Sequence, residues 1–194
     1  MLGASLGFVS VAVHSLPHAF APETLMTDST LHALAAFPAQ LEAHYAAIPP
    51  GLEQFAPASW EGIPSERFTP IGQVLHVRDI EIDGYHVRFH RALHEERPLL
   101  ADIDSYALAQ ERGYAQVTDA RAALVEFRVA REWLVAWLSA LQAGDLARTA
   151  DFDGYGPVTV RGLMHYLCSH DQQHLAGLQW LLGQIEASRV TSTP

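Results

Sequence analysis

Cysteine is almost absent: Cys168 stands alone among 194 residues. No internal disulfide can close, and no cysteine-built zinc site can assemble. Such usage fits a reducing compartment, so a cytoplasmic protein is expected. Basic residues are scarce too. Twelve Lys and Arg face 22 acids, for a formal charge of −10, and no Lys/Arg run or basic–aromatic patch interrupts that balance. Such a surface repels phosphate backbones, which argues against a nucleic-acid partner. Long hydrophobic runs are also missing. The apolar stretch from Leu6 to Val13 is far too short to cross a bilayer, so no membrane partner is expected. Residues 1–25 lack the positive start of a secretory signal. There is no glycine-rich phosphate loop, no GxSxG elbow and no ordered Ser-His-Asp candidate.

What the chain does have is globular: 49% apolar residues, 18% charged ones, and a length that suits one domain with a full core. Met26 is followed by Thr27, Asp28 and Ser29, all helix-capping types, directly before an apolar pattern. The domain is therefore expected over 26–187, with 1–25 a loosely attached extension and 188–194 a frayed tail.

Four segments show helical periodicity. The first runs from about Asp28 to Ile48, with Pro38 on its apolar stripe marking a kink or restart, and Pro49, Pro50 and Gly51 ending it. The second runs from Thr69 to His94 behind a Thr69-Pro70 cap, its stripe drawn through Ile71, Leu75, Ile82, Phe89 and Leu93. The third covers Asp119 to Ala143. The fourth, Thr159 to Ile185, carries Leu163, Leu167, Leu178, Leu181 and Ile185. A short helix is expected within Asp102–Tyr114, and a brief extended stretch near Asp151–Val158. Four amphipathic helices of this length bury their stripes most simply as an all-α four-helix bundle, and the long connections allow a topology other than up-and-down.

The eleven histidines are in excess, and two of them share a helix face. His170 and His174 lie one turn apart on the core-facing stripe of the fourth helix, where unsatisfied imidazoles are costly. They are read either as hydrogen-bonded core residues or as two ligands of one ion. His76, rotated about 100° from Leu75 on the wheel, falls at the border of its stripe. The wheel leaves its direction open. His86, His90 and His94 form a competing row, but charged neighbours mark it as solvated, and its ends lie about 12 Å apart on one helix. Asp79 and Glu81 read equally as supports of an ion site or as exposed helix acids. The pairs Asp102/Asp104 and Asp151/Asp153 read as solvated turn residues. His165 projects away from His170, and Cys168 reads as a small buried apolar residue.

At these residues the sequence resembles the DinB-like, or YfiT-like, family of metal-binding four-helix proteins. The matching pieces are Gly72-Gln73-Val74-Leu75-His76-Val77-Arg78-Asp79-Ile80-Glu81 and His170-Asp171-Gln172-Gln173-His174-Leu175, with Asp104-Ser105-Tyr106-Ala107 through Tyr114 similar to the family's crossover. The likeness spans about Met26 to Ile185. It implies up-down-down-up connectivity, a homodimer, and a divalent metal such as Zn, Ni or Fe bound by His76, His170 and His174. It also implies the chemistry of some relatives, which are transferases or isomerases using low-molecular-weight thiols. No catalytic residue and no organic cofactor site is assigned. Three neutral imidazoles leave an ion its double charge and an open position, which suits a metal-dependent transferase or hydrolase. The alternatives are a bundle stapled by its ion, with a stress-response or interaction role, and a plain bundle with polar core histidines.

Overall fold

The computed structural model describes the backbone of residues 22–191 and the side chains of residues 29–190. Four helical rods build it. Helix α1 spans Pro22–Ala46. The second rod is α2 (Pro70–Asp79), a π-helical turn (Ile80–Tyr85) and α3 (His86–His94). A crossover carrying β1 (Leu99–Leu100) and α4 (Ser105–Glu111) leads to α5 (Arg121–Ser139). Then α6 (Ala143–Leu146) and the strands β2 (Thr149–Phe152) and β3 (Gly156–Thr159) precede α7 (Val160–Thr191). The proposed extension falls mostly outside the described residues. Within the described residues α1 is already helical at Pro22 and runs through Met26, and α7 runs on to Thr191.

Side-chain pairings fix the direction of each rod. Thr30 faces His165 and His44 faces Gln179, so α1 and α7 run parallel. Leu34 meets Arg131 and Phe37 meets Phe127, so α5 is antiparallel to α1. Arg78 binds Glu126 and Glu81 binds Arg131, so α2 and α5 are parallel. His174 meets Gln73 and His170 meets His76, so α7 opposes α2. The result is an up-down-down-up four-helix bundle. A three-stranded sheet clips one end: β1 pairs parallel to β2, and β2 pairs antiparallel to β3. The sequence pattern indicates the hairpin region but not β1, which is two residues long and has no periodicity to read.

Near the middle of the bundle sits a fully buried arginine. Nε and Nη2 of Arg131 donate to Glu81 at 2.8 and 2.9 Å, and Nη1 and Nη2 donate to Asp171 at 2.7 and 3.0 Å. The remaining Nη1 hydrogen goes to the Leu34 carbonyl at 3.2 Å. All five donors of the guanidinium are thus answered. The last acceptor exists because of Pro38. A proline four residues on has no N–H to give Leu34, so the carbonyl that α1 cannot use internally accepts from α5. Pro38 neither ends nor restarts α1.

One positive charge cannot fully offset two carboxylates in a dry interior. Burial pushes the Asp171 carboxyl up to about 7 against the pull of Arg131, whereas Arg131 overrides burial at Glu81 and holds it below its ordinary value. Removing the cation alone should be far worse than removing the whole cluster. Arg131→Met is expected to lower the unfolding free energy by about 3–5 kcal/mol, read from urea denaturation. A loss under about 1 kcal/mol, the range of an exposed pair, would show that the triad is not what locks the rods.

Candidate metal centre

Helix α2 is built to be buried. The Thr69 hydroxyl accepts the Gly72 N–H at 3.3 Å, Pro70 opens the first turn, and every residue from Pro70 to Val77 is buried. His76 therefore has no solvent side to turn to, and its ring points into the bundle, tilted against Phe68 at 5.2 Å. On α7, His174 is completely buried and His170 half-buried. The structure brings the three together: one ring nitrogen from each lies within 4.8 Å of the others. His170 Nε2 is 3.2 Å from His76 Nε2 and 3.2 Å from His174 Nε2. Two nitrogens on one tetrahedral ion with bonds near 2.0–2.1 Å stand about 3.3 Å apart, so the spacing fits a shared ion.

Gln73, one turn before His76, decides which nitrogen of His174 is free. Its amide NH₂ donates to the carbonyls of Glu66 at 2.9 Å and Phe68 at 3.2 Å. The amide oxygen is thereby turned toward His174 Nδ1, 2.5 Å away. Nδ1 must then carry the proton, which leaves the Nε2 lone pair facing its two companions. Nδ1 of His76 and of His170 are buried with no hydrogen-bond partner, and packing sets those rings, His170 lying 6.0 Å from the ring of Tyr85.

A fourth group, which no pattern in the sequence marks, completes the cluster. Glu66, in the loop before α2, sets Oε2 3.3 Å from His174 Nε2 and Oε1 3.8 Å from His76 Nε2. Glu66 Oε2 is buried and accepts no hydrogen bond. Burial raises this carboxyl above its ordinary value, and the charge of Asp102 adds to the shift. Beside it opens a cavity of about 250 Å³ reached by Glu66, His76 and His170. Its other walls include Tyr85, Arg88, Phe152, Tyr155, Tyr166 and Ser169.

The other candidate residues stand apart from this cluster. Asp79 and Glu81 are both buried, and neither hydrogen-bonds a cluster histidine. Asp79 accepts from Tyr114 Oη at 2.6 Å and pairs with Arg112 and Arg78, while Glu81 serves Arg131. His86, His90 and His94 lie on α3 and do not join the cluster. Asp151 lies on β2 in a fork with Arg97, and Asp102 is exposed beside Arg88. His165 faces Thr30, and Cys168 is half-buried against the core.

Burial keeps the three imidazoles neutral. It lowers His76 to about 4, with the Asp79 charge opposing, and it sets His170 and His174 well below their ordinary value. In the unfolded chain these rings take up protons near pH 6.5. The folded protein refuses them, so the stability they confer is complete above that pH and is lost as pH falls toward 4. Chelator-treated protein should show a melting temperature that drops steeply between pH 7 and 5. A flat profile there would contradict neutral buried rings.

A sequence profile of the DinB superfamily matches residues 30–178. Among solved structures, the chain is similar to YfiT from Bacillus subtilis, which is described as a probable metal-dependent hydrolase with an unusual four-helix bundle topology. The two superpose with a TM-score of 0.72 at 18% identity, over 89% of this chain and 94% of that one. No curated protein matches the sequence. Among the described residues, no helix is long and apolar enough to cross a membrane.

Proposed function

Because this chain belongs to the DinB superfamily, we propose that it is a divalent-metal protein whose ion is held by His76, His170 and His174. The observation that carries this reading is a meeting of acceptors. The His174 Nε2 lone pair and Glu66 Oε2 lie 3.3 Å apart with no donor between them, and two further Nε2 atoms converge on the same point. Ring protons on Nε2 of His76 and His170 would bridge two of these contacts at most. A cation answers all of them at once. Neutral imidazoles suit Zn, Ni or Fe, and such an ion, when bound, supplies Lewis acidity to a group placed beside it.

The adjoining cavity favours an enzyme over an ion-stapled bundle, since a purely structural site has no use for an opening. The residues around it divide the work. Gln73 holds the His174 ring and its tautomer, and Tyr85 and Phe152 flank the Arg88 guanidinium at 5.1 and 4.5 Å, giving the pocket aromatic walls and a positive group. The reaction we infer is hydrolysis or thiol transfer on a small substrate, with a low-molecular-weight thiol as cosubstrate in the second case. For assembly we propose a homodimer, supported by Val125, Val129 and Trp133, which stand exposed on one face of α5.

Untagged protein should carry about one divalent ion per chain by elemental analysis, and His76→Ala, His170→Ala and His174→Ala should each abolish it. Gln73→Leu should weaken the ion about 10–100-fold, the usual effect of losing a partner that orients a ligand. Unchanged metal content in His76→Ala would sink the proposal. Trp133→Glu is expected to shift the protein from dimer to monomer in sedimentation velocity; a wild-type monomer would refute that assembly.

A further inference from the structure

We propose that Glu66 is a fourth metal-coordinating group, so that the ion sits among three imidazoles from the bundle and one carboxylate carried on a loop. The inference rests on the three-histidine reading above and adds a residue to it.

Elimination narrows the choice to this acid. Three neutral imidazoles leave a divalent ion its full charge, and a carboxylate within reach lowers the electrostatic cost of burying it. The buried acids nearby are already committed: Asp79 to Tyr114, Arg112 and Arg78, and Glu81 and Asp171 to Arg131. Asp102 is exposed and leans on Arg88. Glu66 alone among these has no cationic side chain beside it, and one of its oxygens is buried without a donor. Its 3.3 Å separation from His174 Nε2 matches the roughly 3.4 Å expected between an oxygen and a nitrogen on one tetrahedral ion.

The loop is also held in place. Trp60 stacks on Trp180 of α7 at 6.3 Å, and the Arg67 N–H donates to Tyr106 Oη at 3.2 Å. The Glu66 carbonyl accepts from the Phe68 N–H at 2.8 Å, the Gln73 amide at 2.9 Å and the Ser65 hydroxyl at 3.2 Å. Across from it stands Gly177 of α7, where any Cβ would overlap the Ser65 hydroxyl. A glycine in mid-helix is unfavourable by about 1 kcal/mol relative to alanine, and here it gives the loop room to lie against α7. The same Gln73 that orients His174 thus anchors the backbone of Glu66, so one amide aligns two of the four proposed ligands.

Cobalt(II) reports on this directly, because its visible bands respond to the ligand set and its affinity can be read by chelator competition. Glu66→Gln keeps the shape and removes the charge; Glu66→Asp keeps the charge and shortens the arm. Both should bind Co²⁺ about 10–100-fold more weakly than wild type, a range borrowed from the loss of supporting groups at metal sites, and both should shift the visible bands. Hydrogen exchange gives a second readout: Co²⁺ should slow the amides of residues 60–69 in wild type and not in Glu66→Gln. Melting curves of the metal-free proteins should coincide, which separates lost ligation from lost folding. Glu66→Gln with wild-type affinity, bands and loop protection would overturn the proposal while leaving the histidine site standing. A wild-type protein that takes up no Co²⁺ would overturn both.

Discussion

The guanidinium of Arg131 touches all four rods of the bundle: Leu34 on α1, Glu81 on the π-helical turn, its own α5, and Asp171 on α7. Apolar stripes tolerate rotation and sliding, because one methyl contact substitutes for another. Five directional bonds from a rigid planar group do not. Asp171 is the neighbour of His170 in sequence, so anchoring its carboxylate also sets the rotation of α7 that brings His170 and His174 inward. Pro38 belongs to the same device, since it leaves free the carbonyl that α5 requires.

Two kinds of buried polar cluster therefore lie one above the other. Around Arg131 donors and acceptors balance, and the cluster is complete by itself. Around His174 the ring nitrogens and the Glu66 carboxylate make more close contacts than the protons of His76 and His170 can bridge. The contrast is a matter of counting hydrogens, and it separates a structural lock from a receptive site more sharply than burial does. The Arg131 triad is buried throughout, whereas the histidine cluster is half open, through His170 and Glu66, to the cavity beside it.

Much of this is legible in the chain, for reasons that differ from residue to residue. His170 and His174 stand out because α7 is a long, regular helix and i, i+4 spacing reads directly as one face. The rods follow from periodicity, and the start of the second from the cap at Thr69 and Pro70; α1 already runs ahead of Asp28 and α7 continues past Ile185. His76 escapes the wheel because α2 is buried all round, so the border between apolar and polar sides on which that reading depends does not exist. The stripe drawn from Ile71 to Leu93 also crosses the π-helical turn, where the register slips: Ile82 is exposed while Ile80 is buried. Asp79 and Glu81 look like surface acids for the same reason, and Arg112 and Arg131, which pair with them, lie 33 and 50 positions away. Glu66 sits in an irregular loop, where spacing carries no information. Its placement depends on contacts with Gln73, Tyr106, Gly177 and Trp180, which only the folded chain brings near.

The π-helical turn divides its rod into two halves with separate duties. Upstream lie Gln73 and His76, which face α7; Tyr85 closes the turn and Arg88 lies beyond it, both walling the cavity. A wider turn between them uncouples the phase of one half from that of the other. Gain or loss of a single residue within Ile80–Tyr85 would swing the downstream side chains by about 100° and leave the upstream ones where they are. Such a hinge in register lets the chamber walls change shape while Gln73 and His76 keep their place against α7.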